Sequence, residues 1–350
     1  MQAIGLDVHK ARTMVCVLDT ETGELAEPYA VPTAELVAHL AALPGAPKVA
    51  ALEAGSQSAF LARRLGTCGV EPHVVHPFRV RRLLEALCGL KKTDKIDARG
   101  LAEALAAGLL KLAEVWVPDQ ALHELRALTR GRQDLVEDGV RLRNLIRKLL
   151  VREGADCPFT DLLGVQAQQW LEEWAATMPA AIASVLTAYR QSLAVLHAEQ
   201  ERLSAEIATL VREHTEVRRL QTIPGIGVQL AASIVAEMGP VQRFATAVAL
   251  RGYSGLVPKV EQSGERCHYG PLTKVGNRRL RRALVLAAQL FVGRKATHEL
   301  SLYPWYWQQV VRHGRNPAKV AVARRLLNII FALRRDQTDF APERYAVVAG

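Results

Sequence analysis

The sequence predicts an α/β RNase-H-like amino-terminal domain, a long helical or coiled-coil arm, and a mostly α-helical carboxy-terminal domain with a helix-hairpin-helix. Three observations support this prediction. Residues 2–19 form two β-rich runs around a polar break, residues 186–217 repeat apolar side chains at heptad spacing, and residues 220–239 place glycines between two helical stretches. The predicted boundaries are 1–118 for the first domain, 119–217 for the arm, 218–340 for the last domain and 341–350 for a tail.

The charge of the chain is unevenly distributed. The formal net charge is +10 over 350 residues, and the stretch from Arg251 to Arg335 contains 17 Lys or Arg against 3 Glu and no Asp. A concentrated positive charge is typical of a partner with a phosphate backbone. The carboxy-terminal part is therefore expected to bind nucleic acid.

Cysteines and apolar runs indicate the compartment. The five cysteines are odd in number, scattered and never in a C-x-x-C arrangement, which argues against a disulfide framework or a zinc finger. The longest apolar run, residues 283–292, is too short to cross a bilayer. Met1 leads directly into a strand pattern, so no signal peptide and no membrane association are expected. The sequence predicts a cytoplasmic protein associated with the nucleoid.

The first domain alternates strand and helix patterns. An apolar hairpin at residues 2–19 is followed by short β-rich runs, separated by helices that begin after Pro, Gly or Ser. The predicted elements are a strand at Glu27–Val31, a helix at Thr33–Leu43, a strand at Lys48–Leu52, a helix at Ser56–Leu65, a strand at Val70–Val75, a helix from Pro77 and a further helix that carries Asp94 and Asp97.

Acidic residues lie where this pattern leaves a crevice. Asp7 ends the first strand and Glu53 follows the fourth, while Asp94 and Asp97 are three residues apart and share one face of a helix. Four converging carboxylates suit two Mg²⁺ ions about 4 Å apart, as in phosphodiester chemistry. The sequence therefore predicts an RNase-H-like nuclease fold.

The Asp94 stretch by itself has a plainer interpretation. Thr93 is a good N-cap, and acids in a first helical turn are common for stability alone. The opening hairpin also resembles the phosphate loop of sugar kinases, but the second Gly-rich loop of those enzymes has no counterpart here. Only the acids on other elements favour a metal site. The basic residues around Asp94 would then hold a nucleic-acid backbone over the metals; they are Lys91, Lys92, Lys95 and Arg99.

Two long helices make up the predicted arm. The first runs from Asp119 to about Arg152, with leucines at intervals of seven. The second continues the heptad pattern to Val217, with Gln200 and His214 as polar seam residues. The seam could pack on the first helix of the same chain or on an identical partner. Its regularity favours self-association.

The last domain opens with a helix-hairpin-helix signature. The turn of this motif exposes backbone N–H groups that bind phosphate without reading bases, here those of Gly225, Ile226 and Gly227. A tight turn between helices without any ligand is the alternative. A region rich in Gly, Pro and Ser follows from Gly252 and is predicted to be a loop.

Ser263 in this loop region is followed by a glycine and has cations nearby in sequence. A serine can attack a phosphodiester where cations or metals stabilise the developing charge, although a Ser-Gly pair is far more often only a turn. The neighbouring cations are Lys259, Arg266 and Lys274, and the next helix presents Arg278, Arg279, Arg281 and Arg282. The final helix, predicted at Pro317–Arg335, should have a basic outer face that includes Arg334.

Five motifs in this order are familiar. They read IGLDVHK, LEAG around Glu53, KKTDKIDARGLAE, TIPGIG and GLVP…QSG…TKVGNRRLRRAL. Over about residues 1–335 the chain resembles the DEDD-type insertion-sequence transposases, relatives of the Piv DNA invertase. The resemblance implies a RuvC-like first domain, an Mg²⁺-binding quartet at Asp7, Glu53, Asp94 and Asp97, and a covalent phosphoserine at Ser263 rather than Ser254.

The resemblance also implies partners. They are the DNA of the element ends and target, a structured guide RNA encoded by the element, and further copies of the chain in a dimer or tetramer tied by the coiled coil. In such an oligomer the quartet and the serine of one active site come from different subunits. Two alternatives stay open: a hydrolytic nuclease like a Holliday-junction resolvase, without a serine adduct, and a non-catalytic architectural protein that binds nucleic acid.

Overall fold

The computed structural model of the chain describes residues 1–45, 47–88, 93–263, 266–273 and 275–345. The chain forms two compact units, Met1–Ala121 and Leu122–Gly350. None of the helices in the described residues combines the length and the apolar character needed to span a lipid bilayer.

The first unit is built on a five-stranded mixed sheet with the order β3-β2-β1-β4-β5. β2 is antiparallel to both of its neighbours, whereas β1, β4 and β5 run parallel. The strands are β1 (Gln2–Val8), β2 (Arg12–Asp19), β3 (Tyr29–Pro32), β4 (Lys48–Glu53) and β5 (Val70–Val75). The apolar runs read from the sequence are the strands at its centre.

Helices cover both faces of this sheet. They are α1 (Leu36–Ala42), α2 (Ser58–Thr67), α3 (Pro77–Cys88) and α4 (Asp94–Ala106). On β4, Leu52 packs in one cluster with Leu36 of α1 and Leu61 of α2, while Ala51 packs in another with Leu101 of α4. Alternate strand residues therefore face opposite helical layers, and the predicted α/β architecture is confirmed.

The second unit is mostly helical, as predicted. Its elements are α5 (Gln120–Arg152), α6 (Val165–Ala176), α7 (Ala180–Leu210), α8 (Thr215–Gln221), α9 (Val228–Met238), α10 (Ala247–Ser254), β6 (Pro258–Ser263), β7 (Arg266–Leu272), α11 (Arg278–Val292), α12 (Leu302–His313) and α13 (Arg315–Asp336). A large apolar cluster built mainly from α9, α11 and α13 forms its core.

The heptad seam of α7 packs against α5 of the same chain. Leu186 and Leu193 are buried in a cluster with Ile146 of α5. The amide Nε2 of Gln200 donates a hydrogen bond to the Leu135 carbonyl oxygen at 2.9 Å. The regularity of the seam is therefore explained within one chain and no longer argues for an identical partner.

The structure corrects three details of the sequence prediction. α7 ends at Leu210, so the expected seam positions His214 and Val217 lie beyond it. The predicted loop after Gly252 contains the antiparallel hairpin β6–β7. Arg334 was expected on an exposed basic face, but it is fully buried, with its guanidinium paired to Glu216 and donating to the Gly239 carbonyl. A charged residue can take such a place because an acid partner lies within the fold.

Candidate active site

Gly5 lets α4 lie directly on the central strand β1. A Cβ atom at this glycine would lie 1.9 Å from the Ala98 carbonyl oxygen and 2.6 Å from the Ala102 nitrogen. Both of these alanines are fully buried, and they pack against Cys16 of β2. The absence of a side chain at Gly5 therefore sets the distance between the sheet and the helix that carries two of the acids.

The first turn of α4 presents Asp94 and Asp97 together. The hydroxyl of Thr93 accepts a hydrogen bond from the Ile96 N–H at 3.3 Å, which caps the helix as predicted. With the start of α4 set in this way, the two acids stand three residues apart on one face. Asp94 faces the end of β1, because the ring Nε2 of His9 lies close to the carboxylates of both Asp94 and Asp7.

Asp7, His9 and Asp94 form a compact group of potential metal ligands. The ring Nε2 of His9 lies 3.1 Å from Oδ2 of Asp7 and 3.4 Å from Oδ2 of Asp94. One ligand atom from each of the three residues lies within 4.8 Å of the others. The imidazole thus bridges two carboxylates that would otherwise repel each other.

The electrostatics of Asp7 are those of a crowded acidic site. Partial burial raises the pKa of the Asp7 carboxyl above its usual value. The nearby His9 opposes this rise, whereas the negative charges of Asp94 and Asp97 add to it. A positive ion at this position would relieve the repulsion, so the donor chemistry of the site suits a cation.

Glu53 ends β4 beside Asp7. In the parallel pair of β1 and β4, Leu6 lies opposite Leu52, so Asp7 and Glu53 are the next residues of neighbouring strands. Glu53 also lines a cleft of about 260 Å³ that includes His9, Lys10 and Ser56. The register of the sheet therefore brings Glu53 to the strand end that carries Asp7, while the compact ligand group contains neither Glu53 nor Asp97.

His9 is the site residue that sequence reasoning missed. It stands two residues after Asp7, and alternate residues of an extended chain lie on the same side. The spacing of two residues could therefore have predicted that His9 lies close to Asp7. Its approach to Asp94 depended on the packing of α4, which no local pattern shows.

The structure describes two of the four basic residues that were expected around the acids. Lys91 and Lys92 lie outside the described residues. Lys95 is exposed, and the Arg99 side chain donates from Nε to Glu103 at 2.8 Å, one turn further along α4. Lys95 is therefore the described cation of this group whose side chain is most open to a phosphate.

The serine predicted to act lies at the tip of the hairpin in the second unit. Ser263 is the last residue of β6 and pairs with Arg266, the first residue of β7. The side chains of these two residues and of Lys259 lie outside what the structure describes, as does the whole of Lys274. The alternative Ser254 is fully buried, and its hydroxyl donates to the Arg251 carbonyl at 2.9 Å.

Most arginines of α11 are engaged within the second unit. Arg279 pairs with Asp134 of α5 at 2.9 Å, Arg282 pairs with Glu137 of α5, and Arg281 donates to the Ser254 carbonyl at 3.1 Å. Arg278 is exposed at the start of the helix. Three of the four arginines that were expected to bind DNA therefore make contacts within the protein, two with acids of α5 and one with the Ser254 carbonyl.

The turn between α8 and α9 has the glycine geometry of the predicted motif. Gly225 has a φ of 91°, and a Cβ there would lie 2.9 Å from backbone atoms of α11. Ile226 is 3% exposed, and its N–H donates to the Ile223 carbonyl, so this N–H does not point outward as expected. Gly227, the exposed N-cap of α9, is the member of the trio open to solvent.

A network around Glu237 joins α5, α9 and the base of the serine hairpin. The carboxylate of Glu237 accepts hydrogen bonds from Arg130 at 2.6 and 2.8 Å and from the Asn277 amide at 2.8 Å. The Asn277 side chain also caps α11 through the Leu280 N–H, and the Asn277 N–H donates to the Tyr253 carbonyl at 2.7 Å. Tyr253, before the hairpin β6–β7, and Asn277, after it, are thereby held together.

Comparison with known proteins identifies the family. A DEDD transposase profile of the IS110 group matches residues 4–153, and the profile of the transposase IS116/IS110/IS902 family matches residues 217–303, together more than half of the chain. The chain is 26% identical over 307 residues to the transposase for insertion sequence element IS1328 of Yersinia enterocolitica, covering 88% of this chain and 89% of that protein.

A second relative covers nearly the whole chain. The transposase for insertion sequence element IS1111A of Coxiella burnetii is 25% identical over 349 residues, which is 97% of this chain and 91% of that protein. The two profiles match at opposite ends of the chain, and the first covers the acids that the fold brings together. The chain belongs to the DEDD-type insertion-sequence transposases, a family of enzymes that cleave and rejoin DNA.

Proposed function

We propose that this chain is an Mg²⁺-dependent transposase of a mobile insertion sequence that breaks and rejoins DNA strands through a covalent phosphoserine at Ser263. The observation that carries the proposal is the convergence of Asp7 and Asp94 within 4.8 Å, with His9 between them. Elements distant in sequence, β1 and α4, meet there only because Gly5 allows their close packing. Two carboxylates held this close repel each other unless a cation lies between them.

The fold of the first unit supports an RNase-H-like, RuvC-like assignment. The order β3-β2-β1-β4-β5, with β2 antiparallel to its neighbours, puts β1 at the centre and the end of β4 beside it. Catalytic acids at the ends of central strands project into an open crevice. This topology is the basis on which we assign a nuclease fold to the domain.

The proposed metal ligands are the carboxylates of Asp7, Glu53, Asp94 and Asp97, which offer the hard oxygen donors that Mg²⁺ prefers. When bound, the ions would supply charge stabilisation for an in-line displacement at phosphorus. His9 holds the Asp7 and Asp94 carboxylates in place by its contacts with both. Its ring is more than half exposed, with a side-chain exposure of 56%.

Ser263 would supply the attacking oxygen. Its hydroxyl oxygen bonds to phosphorus, the bond from phosphorus to the leaving sugar oxygen breaks, and the serine proton reaches that oxygen through solvent. The reverse attack by a strand hydroxyl releases the serine and rejoins DNA. The number of phosphoester bonds is conserved, so no external energy source is needed.

We further propose that the protein acts as a homo-oligomer, a dimer or tetramer, with a structured guide RNA. Although the α7 seam is occupied by α5, the arm still exposes apolar side chains that a second copy could cover. These are Val140, Val151, Val185 and Val195, with exposures between 40% and 71%. The guide RNA rests on the resemblance to the family, and the positive charge of the chain is compatible with it.

The test uses the full chain, a plasmid carrying the DNA that flanks the gene, and a transcript of its non-coding ends. Cleavage and SDS-stable protein–DNA adducts are measured with Mg²⁺ and with EDTA. We expect Asp94→Asn to lose both cleavage and adduct, and Ser263→Ala to lose cleavage, adduct and rejoining, because the attack of the serine is itself the cleavage step. Asp156→Asn and Ser192→Ala, at exposed positions of the second unit, are the matched controls.

Each alternative predicts a different result. Full cleavage by Ser263→Ala without any adduct would favour the hydrolytic resolvase. Nucleic-acid binding unaffected by Asp94→Asn, with no cleavage by the unsubstituted protein under any condition, would favour the architectural protein. Cleavage that persists in Asp94→Asn would contradict the metal site.

A further inference from the structure

An aromatic stripe lies on the exposed face of α12 in the second unit, outside the acids and the serine. It consists of Tyr303, Trp307 and Val311 on the helix, together with His298, which lies just before α12 and stacks on Tyr303. The rings of His298 and Tyr303 are stacked, with centroids 4.0 Å apart and planes at 26°. Trp307 meets Tyr303 edge-on at 6.4 Å. Residues four apart share a helix face, so the stripe runs along one side of α12.

A buried ring packs against the stripe on its inner side, while the outer side of the stripe is exposed to solvent. Tyr306, which is 5% exposed, packs edge-on against the Trp307 ring at 5.4 Å. Trp307 itself is 42% exposed and Val311 is 86% exposed. The neighbouring Trp305 differs, because the guanidinium of Arg325 covers its ring at 3.6 Å. The ring of Trp305 is therefore covered by a cation, whereas the ring of Trp307 is exposed to solvent.

Positive charge lies at both ends of the stripe. Between Arg294 and Arg325 the chain has 7 Lys or Arg and a single acid, Glu299. Exposed cations precede His298 and follow Val311; they are Arg294, Lys295, Arg312 and Arg315. Apolar rings alone would suit a protein partner. Flat rings flanked by cations suit nucleotides, because each nucleotide combines a base that can stack with a negatively charged phosphate.

We infer that this stripe is a stacking platform for unpaired bases of DNA. From Tyr303 to Val311 the helix rises about 12 Å, enough for roughly three stacked nucleotides at 3.4 Å each. Duplex DNA keeps its bases stacked inside, so the rings select strands that cleavage or melting has opened. The inference rests on the proposed function, since a transposase that breaks strands produces such single-stranded ends.

The test measures binding without catalysis. The full chain in EDTA is titrated into a fluorescein-labelled oligo-dT strand of about 12 nucleotides, and anisotropy is compared with that of a duplex and of oligo-rU of equal length. We expect Trp307→Ala to weaken oligo-dT binding about tenfold, the loss typical of one stacked base. Duplex binding should change less than twofold. Trp307→Phe retains a π-face and should keep most of the affinity.

Salt dependence separates stacking from charge. Trp307→Ala should leave the slope of log K against log salt unchanged, while Arg312→Gln should reduce it by about 0.7. Val165→Ala, at an 85% exposed position of α6 outside the stripe, is the control for lost apolar surface and should bind as the unsubstituted protein does. Thermal melting monitored by circular dichroism verifies that each variant is folded.

Three outcomes would overturn the inference: equal losses on single strand and duplex, a loss confined to oligo-rU, or unchanged binding together with an altered oligomeric state. The last would assign the stripe to a protein contact. Failure of the proposed function looks different, because loss of Mg²⁺-dependent cleavage leaves oligo-dT binding in EDTA intact.

Discussion

Gly5 has a structural role that depends on having no side chain. Its neighbours in space are backbone atoms of α4, at 1.9 and 2.6 Å from where a Cβ would be, and backbone cannot rotate away as a side chain can. The alanines Ala98 and Ala102 complete the close contact from the helix side. Small residues on both elements thus set the height of Asp94 above Asp7.

Gly5→Ala should push α4 away from β1 and separate the acids. We expect loss of Mg²⁺-dependent cleavage and a reduction of the free energy of unfolding by about 1–3 kcal/mol, the usual cost of overpacking. Activity assays and chemical denaturation measure the two effects. Gly66→Ala in α2, where a Cβ would meet nothing within 4 Å, is the matched control and should behave as the unsubstituted protein does. Full cleavage by Gly5→Ala would show that this packing does not position the site.

At the scale of elements, the chain segments before and after the hairpin β6–β7 are joined to α9, because Tyr253 and Asn277 both donate hydrogen bonds to Glu237. Gly276 has a φ of 118°, and a Cβ there would lie 2.4 Å from the Tyr253 carbonyl oxygen, so a side chain has no room at this position. Asn277 then connects α11 to the buried carboxylate of Glu237. Since the proposed nucleophile lies at the other end of the hairpin, we expect Glu237 to support the hairpin that carries it.

Glu237→Gln should destabilise the second unit in a pH-dependent way. Burial would raise the pKa of Glu237, but the hydrogen bonds from Arg130 and Asn277 and the charges of Arg130 and Arg126 outweigh it, so the pKa is lowered. A lowered carboxyl pKa contributes stability above its unfolded value of about 4.3, and this stability is lost as the pH falls through the folded value. The variant should therefore differ most from the unsubstituted protein at neutral pH, by about 2 kcal/mol.

Tryptophan fluorescence during urea unfolding at several pH values measures this difference. The magnitude is below that of a fully buried pair because the Arg130 side chain is 42% exposed. The curves of the two proteins should converge as the pH falls below the lowered pKa of Glu237. Glu201→Gln, at an exposed position of α7, is the control. A difference that stays constant from neutral to acidic pH would contradict the charged network.

At the scale of the whole molecule, the buried apolar clusters respect the division into two units. The clusters around Leu6, Ala51 and Cys16 lie within the first unit, and those around Ile146 and Ile234 lie within the second. A unit with its own core can fold alone. The acids lie in one unit and Ser263 in the other, so the proposed strand transfer needs both.

Residues 1–121 expressed alone should therefore fold and bind Mg²⁺ without forming a DNA adduct. Circular dichroism should show a cooperative melt, and Mg²⁺ should raise the melting temperature because the ion binds only the folded acids. Asp94→Asn in the same fragment should reduce that shift. A fragment without cooperative melting would show that its core depends on the second unit.

The sequence by itself determined the α/β order of the first unit, the Thr93 cap, the long helices and the glycine turn after α8, because these follow from local periodicity and backbone chemistry. The four acids could be named from their places at strand ends and on one helix face. Only the tertiary structure decided that His9 contacts both Asp7 and Asp94, since that contact requires α4 to pack directly on β1 at Gly5. It also decided that α7 packs on α5 and that Arg279, Arg281 and Arg282 make contacts within the chain. Exposed and buried arginines look alike in a sequence, because long-range partners determine which of them pair.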